Sequence, residues 1–278
     1  MKTQQFISGK GVAFFILILF FQNSFSQPKQ NVNQVEAKII DNNLTVYLGG
    51  GGNSGILVTD SAVVVIDTKM GTEAENLYTL AKEKAGGKKI IVINTHYHGD
   101  HTKGNMFYKG CKIYIGSYDK SFLAKNVERE NMPTDFVTKE LKLNLGDETV
   151  QIYNLGQAHT FQDVVVYLEN RRVMFCGDLI FNKINPVLKK ESGANVDSWI
   201  LALNAILMGW EITTLVPGHG APGTKDIAIH MREYLEDMQE AAENPEKADK
   251  LKSKYKNWVE IPEMTSPEKT IEYIKENK

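Results

Sequence analysis

Ile91-Val92-Ile93-Asn94-Thr95-His96-Tyr97-His98-Gly99-Asp100-His101 is a β-branched apolar run that breaks into three histidines and an aspartate within six residues. The run is short and apolar throughout, the pattern of a strand buried on both faces, so the polar cluster falls in the loop that the strand delivers. Neutral imidazoles and a carboxylate suit zinc or iron. Alternate residues of an extended segment, His96 and His98, can converge on one ion, while Asp100 and His101 turn toward a second. The whole chain has only six histidines, and half of them sit in this loop.

Working outward from that strand, residues 35–67 read as β-rich, interrupted by Gly49-Gly50-Gly51-Gly52-Asn53-Ser54-Gly55. This glycine run lacks the Lys and helix of a phosphate-binding loop and joins two strands, so it reads as a flexible hairpin loop at the rim of a site. Thr72 and Glu75 have the spacing of a capping box for a helix ending near Ala85, with Gly86 and Gly87 as its stop. Beyond His101 the pattern predicts a strand over 112–115, a helix over 117–129, and strands over 139–145, 149–155, 164–169 and 172–176. A loop over 182–195 follows, then a helix over 197–208, a strand over 212–216 and a helical tail. The tail comprises a helix over 225–242 and a second one over 266–276 that opens Ser-Pro-Glu.

Two halves of the chain echo each other. A strand ending at Asp67, a helix and a strand ending at His96 are matched by a strand ending at Asp178, a helix and a strand ending at His219. Two such units imply two sheets packed face to face with helices outside, a four-layer α/β/β/α sandwich whose loops gather polar residues at one edge. His159, Asp178 and His219 each follow a strand in this scheme. His230 sits within a C-terminal helix and reads as structural.

Composition sets further bounds. The chain has 278 residues, 42% hydrophobic and 24% charged, with a formal net charge of −2, which argues against a nucleic-acid partner and fits a small-molecule substrate. Residues 1–26 resemble a secretory signal: Lys2 and Lys10, an apolar run over 12–21 too short to span a bilayer, then Ser24-Phe25-Ser26. The expected mature protein is periplasmic or secreted, begins near Gln27, keeps no stable membrane anchor and forms one domain over 27–278. Cys111 and Cys176 both lie in apolar, strand-like settings and are expected as free thiols, although that compartment would permit a disulfide.

The Thr-His-Tyr-His-Gly-Asp-His stretch, followed in order by His159, Asp178 and His219, resembles the metallo-β-lactamase superfamily over about residues 35–223. The resemblance implies the α/β/β/α sandwich and a metal-dependent hydrolase. It also implies that His96, His98 and His159 hold one metal, that Asp100, His101 and His219 hold another, and that Asp178 bridges them. Asp67 corresponds to a carboxylate that steadies a metal ligand from behind. Two zinc ions so placed share a water, lower its pKa and present hydroxide to the carbonyl of a β-lactam or of a related lactam, ester or thioester, with Asp100 orienting the nucleophile.

Secreted β-lactamases of the same loop order usually carry Cys where this chain has Asp178, and a carboxylate-gripping Lys where it has Phe181; Lys183 is a candidate replacement for that cation in the substrate pocket. The competing readings are a glyoxalase II-like thioesterase, a lactonase, and a persulfide dioxygenase with a single Fe2+ in place of two Zn2+. A non-catalytic binder would have been signalled by lost ligands, and none is lost. Trp199 and Trp210 read as core residues.

Overall fold

A computed structural model of the protein describes residues 35–277, and the expected leader over 1–26 lies outside them. The first sheet is built from β1 (Glu36–Asp41), β2 (Leu44–Leu48), β3 (Ser54–Val58) and β4 (Ala62–Ile66), then, after helix α1 (Gly71–Ala85), from β5 (Lys89–Ile93). The short helix α2 (Gly99–Thr102), β6 (Lys112–Gly116), helix α3 (Lys120–Asn126) and β7 (Asp135–Val137) complete it. Its strand order follows the chain, β1 to β7, with antiparallel pairing up to β4 and parallel pairing beyond.

The second sheet contains β8 (Glu140–Asn144), β9 (Thr149–Gly156), β10 (Asp163–Leu168), β11 (Val173–Phe175) and, after helix α4 (Val196–Gly209), β12 (Thr214–Val216). It is ordered β12-β11-β10-β9-β8, with only the β11–β12 pair parallel. Helices α5 (Asp226–Glu243), α6 (Ala248–Ser253) and α7 (Pro267–Glu276) follow.

The period of two in a strand explains the layering. Along β4, Val64 and Ile66 face the second sheet with Ile91 and Ile93, meeting Ile152, Val164, Val166 and Phe175. Val63 and Val65 point the other way, onto Leu77 and Ala81 of α1. On the far side of the second sheet, Val165, Met174 and Leu215 pack under Trp199 and Leu203 of α4 and Met231 and Leu235 of α5. Both sheets are therefore covered on both faces, which is why their central strands are apolar without alternation. The four-layer α/β/β/α architecture and the paired strand–helix–strand units, β4-α1-β5 and β11-α4-β12, are as expected.

Local boundaries differ in places. The Thr72–Glu75 capping box is absent: α1 starts at Gly71 with Met70 as its cap and no side-chain bond, because the left-handed turns at Lys69 and Gly71 bring the chain into the helix earlier. The helix expected over 117–129 contracts to α3, since the Asp119 carboxylate accepts from the Ser121 N–H and starts the helix there, and Val127 is already extended. Strand β7 and helix α6, both short, had no periodic signature. Ser266 caps α7 as expected, accepting from the Lys269 N–H at 3.2 Å. Cys111 and Cys176 are free thiols, the latter buried. Among the described residues no helix is long and apolar enough to cross a membrane.

Candidate metal centre

Strand β5 ends at Ile93, and the loop that follows is held from beneath by two neighbours. Asp67, at the end of β4 and in a left-handed conformation (φ 56°), accepts from the Thr95 N–H at 2.7 Å and from the Thr95 hydroxyl at 2.8 Å. Its Oδ2 also lies 2.8 Å from His101 Nδ1, which fixes that ring with Nε2 pointing away. Asn94 donates to the His101 carbonyl at 2.9 Å, closing the loop on itself. His159 comes from the loop before β10, Asp178 from the turn after β11, and His219 from the turn after β12.

These loops bring all seven predicted ligands together in two groups. His98 Nδ1 is 3.0 Å from both His96 Nε2 and His159 Nε2, and Asp178 Oδ2 lies 3.4 Å from His159 Nε2 and 3.8 Å from His96 Nε2. Asp100 Oδ2 is 3.5 Å from His101 Nε2 and 3.3 Å from His219 Nε2. Asp178 Oδ1 lies 3.1 Å and 3.4 Å from those same two nitrogens. Asp178 thus offers one oxygen to each group.

Electrostatics divide the groups. Burial holds the imidazoles of His96, His98 and His159 neutral, the last with its pKa down at about 3. Burial opposes charge on His219 as well, but the Asp178 and Asp100 carboxylates outweigh it and lift that ring to about 9. His101 is raised for the same reason. Asp178 and Asp100 stay ionised well below the usual carboxylate range: burial disfavours this, and the surrounding histidines prevail.

The donor set fits metal. His101 Nε2 and Asp178 Oδ1 are buried and 3.1 Å apart without a well-aligned hydrogen bond to each other or to any other group, and the cluster turns imidazole nitrogens and carboxylate oxygens toward two shared points. Orphaned polar atoms of this kind are costly unless a cation meets them. Each group supplies a combination suited to zinc or iron.

The surroundings refine the sequence reading. His98 Nε2 lies 3.2 Å from Ser192 Oγ in the loop that precedes α4. Phe181 is buried and stacks on His219 with ring centroids 5.2 Å apart and planes at 10°, so it backs a ligand rather than lining an open pocket. Lys183 is exposed in a left-handed turn whose backbone carbonyl accepts from the Val259 N–H at 2.9 Å, and no hydrogen bond or ion pair joins its ammonium to the clustered residues. Trp199 is a core residue whose indole donates to the Leu179 carbonyl at 2.9 Å.

Besides Ser192, two residues escaped the sequence reading. Lys69 is 1% exposed, and its ammonium donates to the carbonyls of Tyr47 (3.0 Å), Gly49 (2.5 Å) and Gly52 (2.8 Å). Burial draws its pKa down to about 8 against the pull of Asp67, Glu73 and Asp100. Asn53 donates to the carbonyls of Pro217 (2.9 Å) and Gly220 (2.8 Å) on either side of His219. A lysine two residues after a strand-end aspartate was the available clue, but its partners are backbone carbonyls, which no sequence pattern marks.

Comparison with known proteins agrees with this geometry. The family model of the metallo-beta-lactamase superfamily matches residues 47–219. A metallo-beta-lactamase type 2 from Elizabethkingia meningoseptica is 28% identical over 223 residues, covering 76% of this chain and 89% of its own. A protein of the same description from Bacillus cereus is 25% identical over 187 residues, 66% of this chain and 72% of its own. Among solved structures, a metallo-beta-lactamase from Pontibacter korlensis superposes with a TM-score of 0.64 at 23% identity, over 73% of this chain and 99% of that one.

Proposed function

From the premise that the chain belongs to the metallo-beta-lactamase superfamily, we propose that it is a zinc-dependent hydrolase that cleaves a carbonyl–heteroatom bond, in a β-lactam or in a related lactam, ester or thioester. Metal-dependent hydrolysis is the chemistry of its relatives. The observation that carries the two-metal form is Asp178, which turns Oδ1 to one ligand group and Oδ2 to the other. This arrangement favours a dinuclear centre over the single iron of an oxidative enzyme. A leader over 1–26 would place the mature enzyme in the periplasm or outside the cell.

Bound zinc would supply Lewis-acid polarisation of the substrate carbonyl and an acidified water. The protein's own part lies in the carboxylates and their supports. Asp178, with 5% of its side chain exposed, is enclosed and serves position. Asp100, 27% exposed, is open enough to meet substrate and to accept a hydrogen bond from the attacking water, orienting it. His219, 20% exposed, lies beside it and is held by the Phe181 ring. Asp67 keeps His101 in the tautomer with hydrogen on Nδ1, leaving Nε2 free as a ligand.

The test is hydrolysis of a chromogenic cephalosporin, then of ester, lactone and thioester probes, by zinc-loaded protein with and without a chelator. Chelator-sensitive turnover of at least one probe is expected, with His96→Ala and Asp100→Ala each slower by about 100-fold or more. Full activity in either variant would sink the assignment.

A further inference from the structure

The glycine run at residues 49–52 is in contact with both halves of the Asp100, His101 and His219 group. Its Gly52 N–H donates to the Asp100 carbonyl at 3.2 Å, and a side chain at Gly52 would overlap the His101 ring. At its far end the Asn53 N–H donates to the Gly218 carbonyl at 2.7 Å, while the Asn53 amide grips the carbonyls flanking His219. The loop therefore spans from the segment carrying Asp100 and His101 to the turn carrying His219. Four consecutive glycines make such a loop entropically expensive to hold in one conformation. Something must restrain it.

Lys69 provides the restraint. All three N–H donors of its ammonium are used, and all go to carbonyls at or beside this loop, from a side chain sealed at 1% exposure. Its neighbours serve the same group: Asp67 orients the His101 ring, and the Thr68 N–H and hydroxyl donate to the His101 carbonyl at 2.8 and 3.1 Å. No comparable link runs from Lys69 to His96, His98 or His159 among the described residues. We propose that Lys69 is a positioning residue for the Asp100, His101 and His219 metal group, acting through the glycine loop and leaving the His96, His98 and His159 group largely unaffected.

This inference rests on the two-metal reading of the site, and the experiment separates the two. Full-length protein and its Lys69→Met variant are titrated with zinc against a competing chelator, with circular dichroism and thermal unfolding as controls on the fold. Two zinc per chain for the parent protein upholds the reading; fewer would overturn it and the inference with it. The expected result for Lys69→Met is one metal bound as in the parent, and the second weakened by about tenfold or more. A general loss of stability would affect both metals alike, so the split between them is the diagnostic. If Lys69→Met does not fold, Asn53→Ala releases the other end of the same loop and is expected to give the same split. Two metals bound with unchanged affinities, or equal weakening of both, in a folded variant would overturn the proposal.

Discussion

At the residue scale, the two ligand groups differ in protonation before metal arrives. His96, His98 and His159 are neutral at pH 7, whereas His219, raised to about 9, and His101, also raised, carry protons. A raised histidine pKa means that the proton is held below that value, and a metal entering the second group must expel it. Affinity there falls by about tenfold per pH unit for each proton expelled, and the neutral group is spared. Zinc affinity of the second group should therefore fall more steeply from pH 8 to pH 6 than that of the first; competition titrations in which both sites weaken equally would contradict this. The clustered residues themselves were legible because five of six histidines follow strands. Lys69, Asn53 and Ser192 were not, since each acts on a group distant in sequence.

At the scale of elements, each strand end works through the tightness of the turn after it. The turn carrying His219 packs Gly218 against the Asp178 carboxylate so closely that a methyl group there would overlap it and the Gly177 backbone. Gly218→Ala should cost about 1–3 kcal/mol through overpacking. It should weaken both metals together, because Asp178 faces both groups; retained two-metal binding by a folded variant would count against the bridging role. Strands β4 and β5 were readable as unbroken apolar runs because both faces are covered. Helix α3 was drawn too long because apolar spacing continues past Asn126, while the Asp119 cap and extended Val127, both local backbone choices, decide its ends.

At the scale of the molecule, the site is a seam. His96, His98, Asp100 and His101 follow a strand of one sheet; His159, Asp178 and His219 belong to the other. Metal binding therefore ties two sheets that are otherwise joined by the apolar layer of Val64, Ile66, Val166 and Phe175. A ligand that binds only the folded state at 100 times its Kd adds about 2.7 kcal/mol, equivalent to about 5–10 °C in Tm for a chain of this size. Chelation should lower Tm by that amount, and an unchanged Tm would show that the centre contributes nothing to holding the sheets together. The repeated strand–helix–strand pattern made this architecture legible. The helices after residue 225 read as a tail in sequence; in the fold, Met231 and Leu235 of α5 join α4 in the fourth layer, and Ile271 and Ile274 of α7 extend the same apolar cluster from α5 outward. Their partners, Trp199 and Leu215 among them, lie too far along the chain for periodicity to reveal.

The most direct test of the two-metal centre is elemental analysis of zinc-loaded, desalted protein at pH 8, run beside Asp178→Ala. About two zinc per chain is predicted, with both largely lost in the variant. A single metal ion per chain, or a variant that keeps two, would contradict the shared, Asp178-bridged centre.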